Sequence, residues 1–444
     1  MISLSSEAVT IIMFGTLLVG VLLGVPLAIV IGAIALGMGY VVYGSAVGSI
    51  LYPRVFDIMT KYVFLAVPLF VFMGGMLERS GITEKMFDAL YLWLGGIRGG
   101  LALTTVLIGT VLAATVGIIA ASITMLALVA LPAMMKRGYD KSLAAGSVCA
   151  GGCLGILIPP SVMLIIYGPM AVISVGKLFM AAFFPGFMLS GLYCLYIIVR
   201  SYLQPQLAPS VPPEERSVPF MRKTTMLLSS MVPPVLLVLA VLGSIFTGLA
   251  APTEAAGVGA FAATLLTIAY RRFNFKVLRE TSMLTLKIAG FIFLIIVMAY
   301  AFVGVFIAAG GPKVVEEAIL AAPGGRWGAF VAIMLIVFLL GFFIDWIGIV
   351  LIMIPIMHPI AATLGFDPLW FAMMVCVNLQ TSFMTPPFAT GIFITRGAAD
   401  PALGLTMGDV IKGVMPFVVL ILVGLALLVI FPKIITWLPS QMIK

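Results

Sequence analysis

Residues 151–161 read Gly151-Gly-Cys-Leu-Gly-Ile-Leu-Ile-Pro-Pro-Ser161, and residues 378–387 read Asn378-Leu-Gln-Thr-Ser-Phe-Met-Thr-Pro-Pro387. Both lie in uncharged runs and both contain a Pro-Pro pair, which removes two backbone donors and interrupts a helix. The pairs are 227 residues apart, and the same offset carries Pro132 onto Pro359, Gly138 onto Gly365 and Asp140 onto Asp367, while Pro26 and Pro252 match at 226. An ordered set of matches at one offset points to internal duplication. Between the copies lies the only substantial polar linker, residues 202–223, with Pro205, Pro209, Pro212, Pro213 and Pro219. The chain divides accordingly into a first repeat (1–203), a cytoplasmic linker (204–223) and a second repeat (224–444).

The medium around these motifs is a bilayer. Hydrophobic residues make up 63% of the chain, charged ones 9%, and the mean hydropathy is +1.27, more apolar surface than a soluble core can use. A spanning helix needs roughly 20 apolar residues. Residues 8–53 are long enough for two, with Pro26 near the break; further candidates are 62–77, 142–174, 178–199, 224–248, 252–270, 288–310, 369–395 and 413–431. The first ten residues carry Glu7 and no base, so the first apolar stretch is expected to belong to the mature protein. The net charge of +8 sits in short loops, where it orients a chain in a membrane and does not signal nucleic-acid binding. Cys149, Cys153, Cys194 and Cys376 fall in apolar segments without metal spacing and are expected to pack against lipid.

Residues 99–135 carry no charge, yet Arg98 flanks one end and Lys136 and Arg137 the other, so both ends should lie on one face as a re-entrant hairpin. The first repeat then crosses the membrane five times, and an odd count inverts the second. With the N-terminus outside, 17 of the 24 Lys and Arg residues, Arg216 among them, fall in the cytoplasm, as the positive-inside rule requires. The partner hairpin is residues 327–357, followed by an external loop, 358–367, without Lys or Arg. The expected fold is all-α and integral to the membrane: two inverted repeats, each with a re-entrant hairpin and a broken helix (142–174 and 369–395).

Backbone exposed where helices break at mid-membrane can coordinate ions and anions that a continuous helix cannot. The first tip should lie near residues 115–124, with Ser122 and Thr124, opposite the 151–161 break. The second should lie near 341–348, opposite the 378–387 break. Freed carbonyls with Ser, Thr and Asn oxygens suit sodium, and helix N-termini aimed at one point suit an anion. Single prolines and glycines in membrane helices are also ordinary kinks and packing points; their twofold occurrence favours function here. Asp345 is a carboxylate in an apolar run, expensive unless used for ion or substrate chemistry. Glu254, after Pro252 and Thr253, reads as a helix cap, and His358 as a polar rim residue at the membrane surface.

The run Gly-Ile-Leu-Ile-Pro-Pro-Ser (155–161) with Tyr167-Gly168, Ala-Pro-Thr-Glu-Ala-Ala (251–256) and Phe343-Ile-Asp345-Trp346 resembles the large membrane subunit of tripartite ATP-independent periplasmic transporters, over nearly the whole chain. The resemblance implies a sodium-driven elevator in the bacterial inner membrane, in which hairpins and broken helices slide against a scaffold. It implies two partners, a small four-helix membrane subunit and a periplasmic substrate-binding protein, and no cofactor beyond sodium as coupling ion. Carried over by position, sodium-binding residues are Ser122, Thr124, Gly152, Pro159, Ser161, Asp345, Asn378, Thr381 and Thr385, and substrate-binding residues are Ser122, Pro160, Asp345 and Pro387. Ala120-Ala121 before Ser122 departs from the serine-rich first tip of the family, so backbone carbonyls are expected to share in that site.

The implied substrate is a small carboxylate, and the apolar first tip favours a 2-oxo or hydroxy monocarboxylate over a sugar acid. An enzyme is disfavoured by the single His and the lack of HExxH and GxSxG motifs. A channel would draw its pore from subunit symmetry and has no need of inverted repeats in one chain. The alternative is a stand-alone sodium-coupled dicarboxylate or anion transporter of related fold, separated by its independence of a binding protein.

Overall fold

The computed structural model describes residues 4–212, 214 and 218–442, so Pro213 and Arg216 of the linker lie outside the described residues. The first repeat contains α1 (Ser6–Leu22), α2 (Leu27–Tyr43), α3 (Val47–Thr60), α4 (Ala66–Arg79), α5 (Ile82–Leu94), α6 (Gly100–Val116), α7 (Ile119–Lys136), α8 (Lys141–Cys153), α9 (Val162–Ala171) and α10 (Val175–Leu203). The second contains α11 (Phe220–Phe246), α12 (Pro252–Ala269), α13 (Phe275–Ala308), α14 (Gly311–Leu320), α15 (Gly325–Leu340), α16 (Trp346–Thr363), α17 (Pro368–Ser382), α18 (Thr390–Ala398), α19 (Met407–Ile430) and α20 (Lys433–Ser440). Helices α6 and α7 form the first hairpin, α15 and α16 the second; α8 with α9, and α17 with α18, are the broken helices. Nine helical stretches among the described residues are long and apolar enough to cross a membrane.

The repeated Gly and Asp have a local cause. Gly138 (φ 73°) and Gly365 (φ 75°) take the left-handed conformation that ends a hairpin. Two residues on, the Asp140 carboxylate accepts from the Leu143 N–H at 2.9 Å, and Asp367 accepts from the Trp370 N–H at 2.8 Å, each capping the next helix. Asp140→Ala and Asp367→Ala should each lower stability by about 1 kcal/mol, read as a matching fall in the thermal midpoint of the detergent-solubilised protein. Glu254 is likewise a cap residue, its Oε2 accepting from the Ala251 N–H at 2.9 Å.

Contacts between the halves are reciprocal. Helix α4 packs on α12 as α13 packs on α2; α9 packs on α16 as α18 packs on α7; α8 packs on α19 as α17 packs on α10. Where two helices from different repeats meet, their counterparts meet as well, the pattern a twofold relation between repeats produces. Two groups result. In the first, made of α2, α4, α12 and α13, Thr267 Oγ1 of α12 donates to the Met76 carbonyl of α4 (3.0 Å) and Arg79 of α4 pairs with Glu280 of α13. In the second, α8 is clasped by α6, α7 and α19 at bare glycines. A Cβ on Gly109 would lie 2.6 Å from the Gly151 carbonyl oxygen, and one on Gly413 2.0 Å from that of Ser142. Such close backbone crossings drive packing where lipid removes the hydrophobic drive.

The structure corrects several expectations. Residues 8–53 hold the two expected helices, α1 and α2, with Pro26 at the start of α2, and in addition the first part of α3, which begins at Val47 and runs through Pro53 to Thr60. Helix α16 continues to Thr363, so most of the expected 358–367 loop is helical. His358 is consequently not at a polar rim: it is buried, its ring against Tyr167 (centroids 6.3 Å) and Phe371 (5.7 Å). Cys149, Cys153 and Cys376 are buried inside the protein and do not face lipid; Gly391 of α18 seats against the first two. The short helices α5 and α14, each starting at a left-handed glycine (Gly81, Gly310) and leading into a hairpin, were not expected.

Candidate functional site

The first hairpin turns at Gly117 (φ 64°) and Ile118, with α7 beginning at Ile119. The second turns within residues 341–345, and Asp345 occupies the cap position of α16. In the first broken helix the Pro159-Pro160 pair leads to α9, and in the second Pro386-Pro387 leads to α18; both Pro-Pro bonds are cis. Ala389, just before α18, is held at φ 30°, a conformation an L side chain rarely adopts.

These four interruptions meet at one cavity of about 210 Å³. Its wall takes residues 117–120 from the first tip and 345–347 from the second. The breaks add Ile156 and Val162, then Phe383, Thr390 and Ile394, and α13 closes it with Ile288, Phe291 and Ile292. The first residues of α7, α9, α16 and α18 (Ile119, Val162, Trp346 and Thr390) all stand on this wall. Each helix start presents N–H groups with no intrahelical partner and a partial positive charge. None of the four starts makes a side-chain cap hydrogen bond, although a carboxylate, Asp345, occupies the cap position of α16. Two starts come from each repeat, so the cavity has anion-attracting ends on both sides and one half-buried carboxylate.

Of the substrate candidates, Asp345 lines this cavity. Pro160 is buried beside it, its carbonyl oxygen 3.2 Å from where a Cβ on Gly117 would lie; Pro387 is exposed and off the wall. Ser122 is 1% exposed, and its hydroxyl has no hydrogen-bond partner. A Cβ on Gly155 would lie 3.4 Å from that hydroxyl and 3.7 Å from the Ile118 carbonyl oxygen, so two oxygens of the tip lie against the bare Gly155 of the break. Ser161 donates its hydroxyl to the Ile156 carbonyl. Thr124 is half-buried on α7, and Gly152 packs against the backbone of Ile123; neither lines the cavity. Pro159 is buried in the break.

In the second break, Thr381 donates to the Asn378 carbonyl (2.6 Å) and Thr385 to that of Thr381 (2.5 Å), while Asn378 Nδ2 donates to the Met334 carbonyl on α15 (2.8 Å). Sequence reasoning missed Thr390 and the α13 wall. The signal for Thr390 was the helix restart after the second proline pair, matching Val162 after the first. For Ile288, Phe291 and Ile292 an apolar helix gives no signal. No group of three or more His, Cys, Asp or Glu gathers among the described residues.

A broken-helix pair and hairpin pair around one midpoint cavity define a transporter architecture, and the comparisons agree. The family of the tripartite ATP-independent periplasmic transporter DctM component matches residues 14–434. The chain belongs to this family. Among curated DctM relatives, the C4-dicarboxylate large permease of Pseudomonas aeruginosa is 29% identical over 87% of this chain and 88% of its own length. The sialic acid permease SiaT of Haemophilus influenzae is 28% identical over 87% of this chain and 61% of its own. The solved Alcanivorax borkumensis YdaH transporter shares the fold, with a TM-score of 0.61 at 16% identity over 88% of each chain. This DctM chain is a transporter permease of the inner membrane, spanning it many times, and not an enzyme.

Proposed function

We propose that this DctM chain is the large permease subunit of a sodium-coupled, binding-protein-dependent importer of a small organic acid, working by an elevator movement. The observation that carries this is the convergence of four helix starts, two from each repeat, on one cavity. Such ends hold a carboxylate without a countercharged side chain. The moving body would be the two hairpins with the two broken helices. The scaffold would be α1 to α4 with α11 to α13, whose α13 closes the cavity wall.

Sodium would be held at the first tip by the unpartnered Ser122 hydroxyl and the Ile118 carbonyl, which share the neighbourhood of Gly155, with the Pro160 carbonyl beside Gly117 as a further hard oxygen of the kind this ion prefers. Gly152 and Pro159 would contribute by bending and freeing backbone, and Ser161 and Thr124 by their hydroxyls. The second site would use Asp345 with Asn378, Thr381 and Thr385, whose hydroxyl protons go to helix carbonyls and leave oxygen lone pairs free. The partners would be a small four-helix subunit and a periplasmic binding protein.

Uptake of labelled carboxylates into proteoliposomes holding this chain and its small subunit, with and without binding protein and an inward sodium gradient, tests the proposal. Uptake needing both supports it. Sodium-driven uptake without the binding protein would establish the stand-alone anion transporter instead, and uptake indifferent to sodium would remove the coupling. Pro160→Ala should raise the sodium concentration for half-maximal uptake by roughly fivefold, the weight of about 1 kcal/mol. Pro387→Ala, at an exposed position, should do less; unchanged sodium activation in both variants would return these prolines to a role as kinks.

A further inference from the structure

We propose that a groove between α3 and α13, separate from the cavity described above, holds an acyl chain of an anionic phospholipid of the outer leaflet, with the headgroup on Arg54 and Lys61. The groove, about 630 Å³, lies between one face of α13 and the end of α3 with the extended Lys61 that follows it. Its α13 wall runs from Gly290 through Phe293 and Leu294 to Val297, and Ile58, Met59 and Leu65 line it from the other side. Gly290 makes that wall deep, since a Cβ there would meet nothing within 4 Å. The side chains of Met59, Leu65 and Leu294 are exposed, so the groove opens on an apolar, lipid-facing surface.

The depth of the groove matches one leaflet. With the N-terminus outside, Glu280 stands at the cytoplasmic end of α13, paired with Arg79, and Tyr300 stands towards the outer end, the Lys61 ammonium 5.5 Å from its ring centre. The two lie about 30 Å apart along α13, the thickness of the hydrocarbon core. Gly290 is halfway between them, so the groove stops at mid-membrane. A partner helix would need a track across both leaflets, whereas one acyl chain needs only this half. Lys287, exposed one turn nearer the cytoplasm, does not line the groove. The charge at the outer end is unbalanced. Arg54, Asp57 and Lys61 recur at helical spacing on the side of α3 that faces α13, and a Cβ on Gly304 would come within 2.5 Å of the Arg54 Cδ. Lys61 Nζ pairs with Asp57 Oδ2 at 3.1 Å, while Arg54 makes no ion pair among the described residues. Two half-buried cations thus share one carboxylate. A basic pocket between membrane helices draws an anionic headgroup, whose phosphate oxygens accept from both cations. Tyr52 of α3 and Tyr62 are exposed and supply the aromatic side chains that favour headgroup level.

The test adds phosphatidylglycerol, phosphatidylcholine or inorganic phosphate to the detergent-solubilised full chain, reading bound lipid by native mass spectrometry together with the thermal midpoint. Phosphatidylglycerol should be retained and raise the midpoint by several degrees, phosphatidylcholine should bind more weakly, and phosphate alone should leave the midpoint unmoved. Arg54→Gln and Lys61→Gln should each weaken phosphatidylglycerol binding about fivefold, the weight of one basic residue at a headgroup. Gly290→Leu, which fills the groove and leaves every charge in place, should weaken both lipids. Phosphatidylglycerol with a photoreactive acyl tail should label residues 58–65 and 290–297. Equal retention of the two lipids, or wild-type binding by all three variants, would overturn the proposal, and so would a midpoint raised as far by phosphate. Loss of the label when the small membrane subunit is added would assign the groove to that partner and overturn the lipid as its occupant. Should Lys61→Gln fail to fold with Asp57 left unpaired, Arg54→Gln, Gly290→Leu and the labelling still decide.

Discussion

Asp345→Asn should cut sodium-driven uptake by at least about tenfold while leaving the amount of protein in the membrane unchanged. The size follows from the loss of a charged partner to an ion or a buried polar group, about 1.5–3 kcal/mol. The preserved abundance follows from position. Asp345 stands at the cap position of α16 without making a side-chain cap hydrogen bond, and asparagine suits that position as well as aspartate does, so the substitution removes charge while leaving the helix start intact. Uptake is read in proteoliposomes and abundance by immunoblot of membranes. Normal uptake in the variant would withdraw Asp345 from the coupling chemistry, and a collapse in abundance would show that its charge serves folding.

The largest effect on stability is expected at the crossing of α8 and α19. A methyl on Gly413 would sit 2.0 Å from the carbonyl oxygen of Ser142, and one on Gly146 2.2 Å from that of Gly413. Both obstacles are backbone, so neither can swing aside, and the helices must move apart. Overpacking of this kind costs about 1–3 kcal/mol, with larger values where relaxation is blocked. Gly413→Ala should therefore lower the thermal midpoint by several degrees and reduce the monodisperse fraction after solubilisation. Gly32→Ala is the matched comparison: its methyl would meet the Met298 sulfur at 2.7 Å, the end of a flexible side chain that can give way. Equal effects at the two glycines would refute the crossing as the tighter constraint.

Features with short-range causes were readable in the sequence. Gly138 with Asp140, and Gly365 with Asp367, repeat because each ends one helix and caps the next within a few residues. The Pro159-Pro160 and Pro386-Pro387 pairs flagged the broken helices by recurring at one offset, whereas α11 runs unbroken through a further pair, Pro233-Pro234. Burial was not readable. His358 looked like a surface residue because a lone polar side chain after an apolar run resembles a membrane boundary, but α16 carries it inward between Tyr167 and Phe371. The uncharged stretch 8–53 ended at Arg54, yet α3 carries that charge within its own length, from Val47 to Thr60. The cavity depended on contacts far apart in the chain: Thr390 lines it with Gly117, and α13 closes it with the apolar side chains of Ile288, Phe291 and Ile292, which carry no polar mark of their own.

The exchanged contacts between the halves bear on the order in which this protein can be made. Helix α8 emerges from the ribosome with glycines on its surface and has α6 and α7 for company, but the helix that covers its remaining side, α19, is among the last to be synthesised. The first half is therefore inserted long before it is finished, its bare backbone ridges waiting in lipid for the second half to arrive. The packing of α8 is completed only once α19 has been made, and the interval before it is when a chaperone or a membrane protease would find the chain most open.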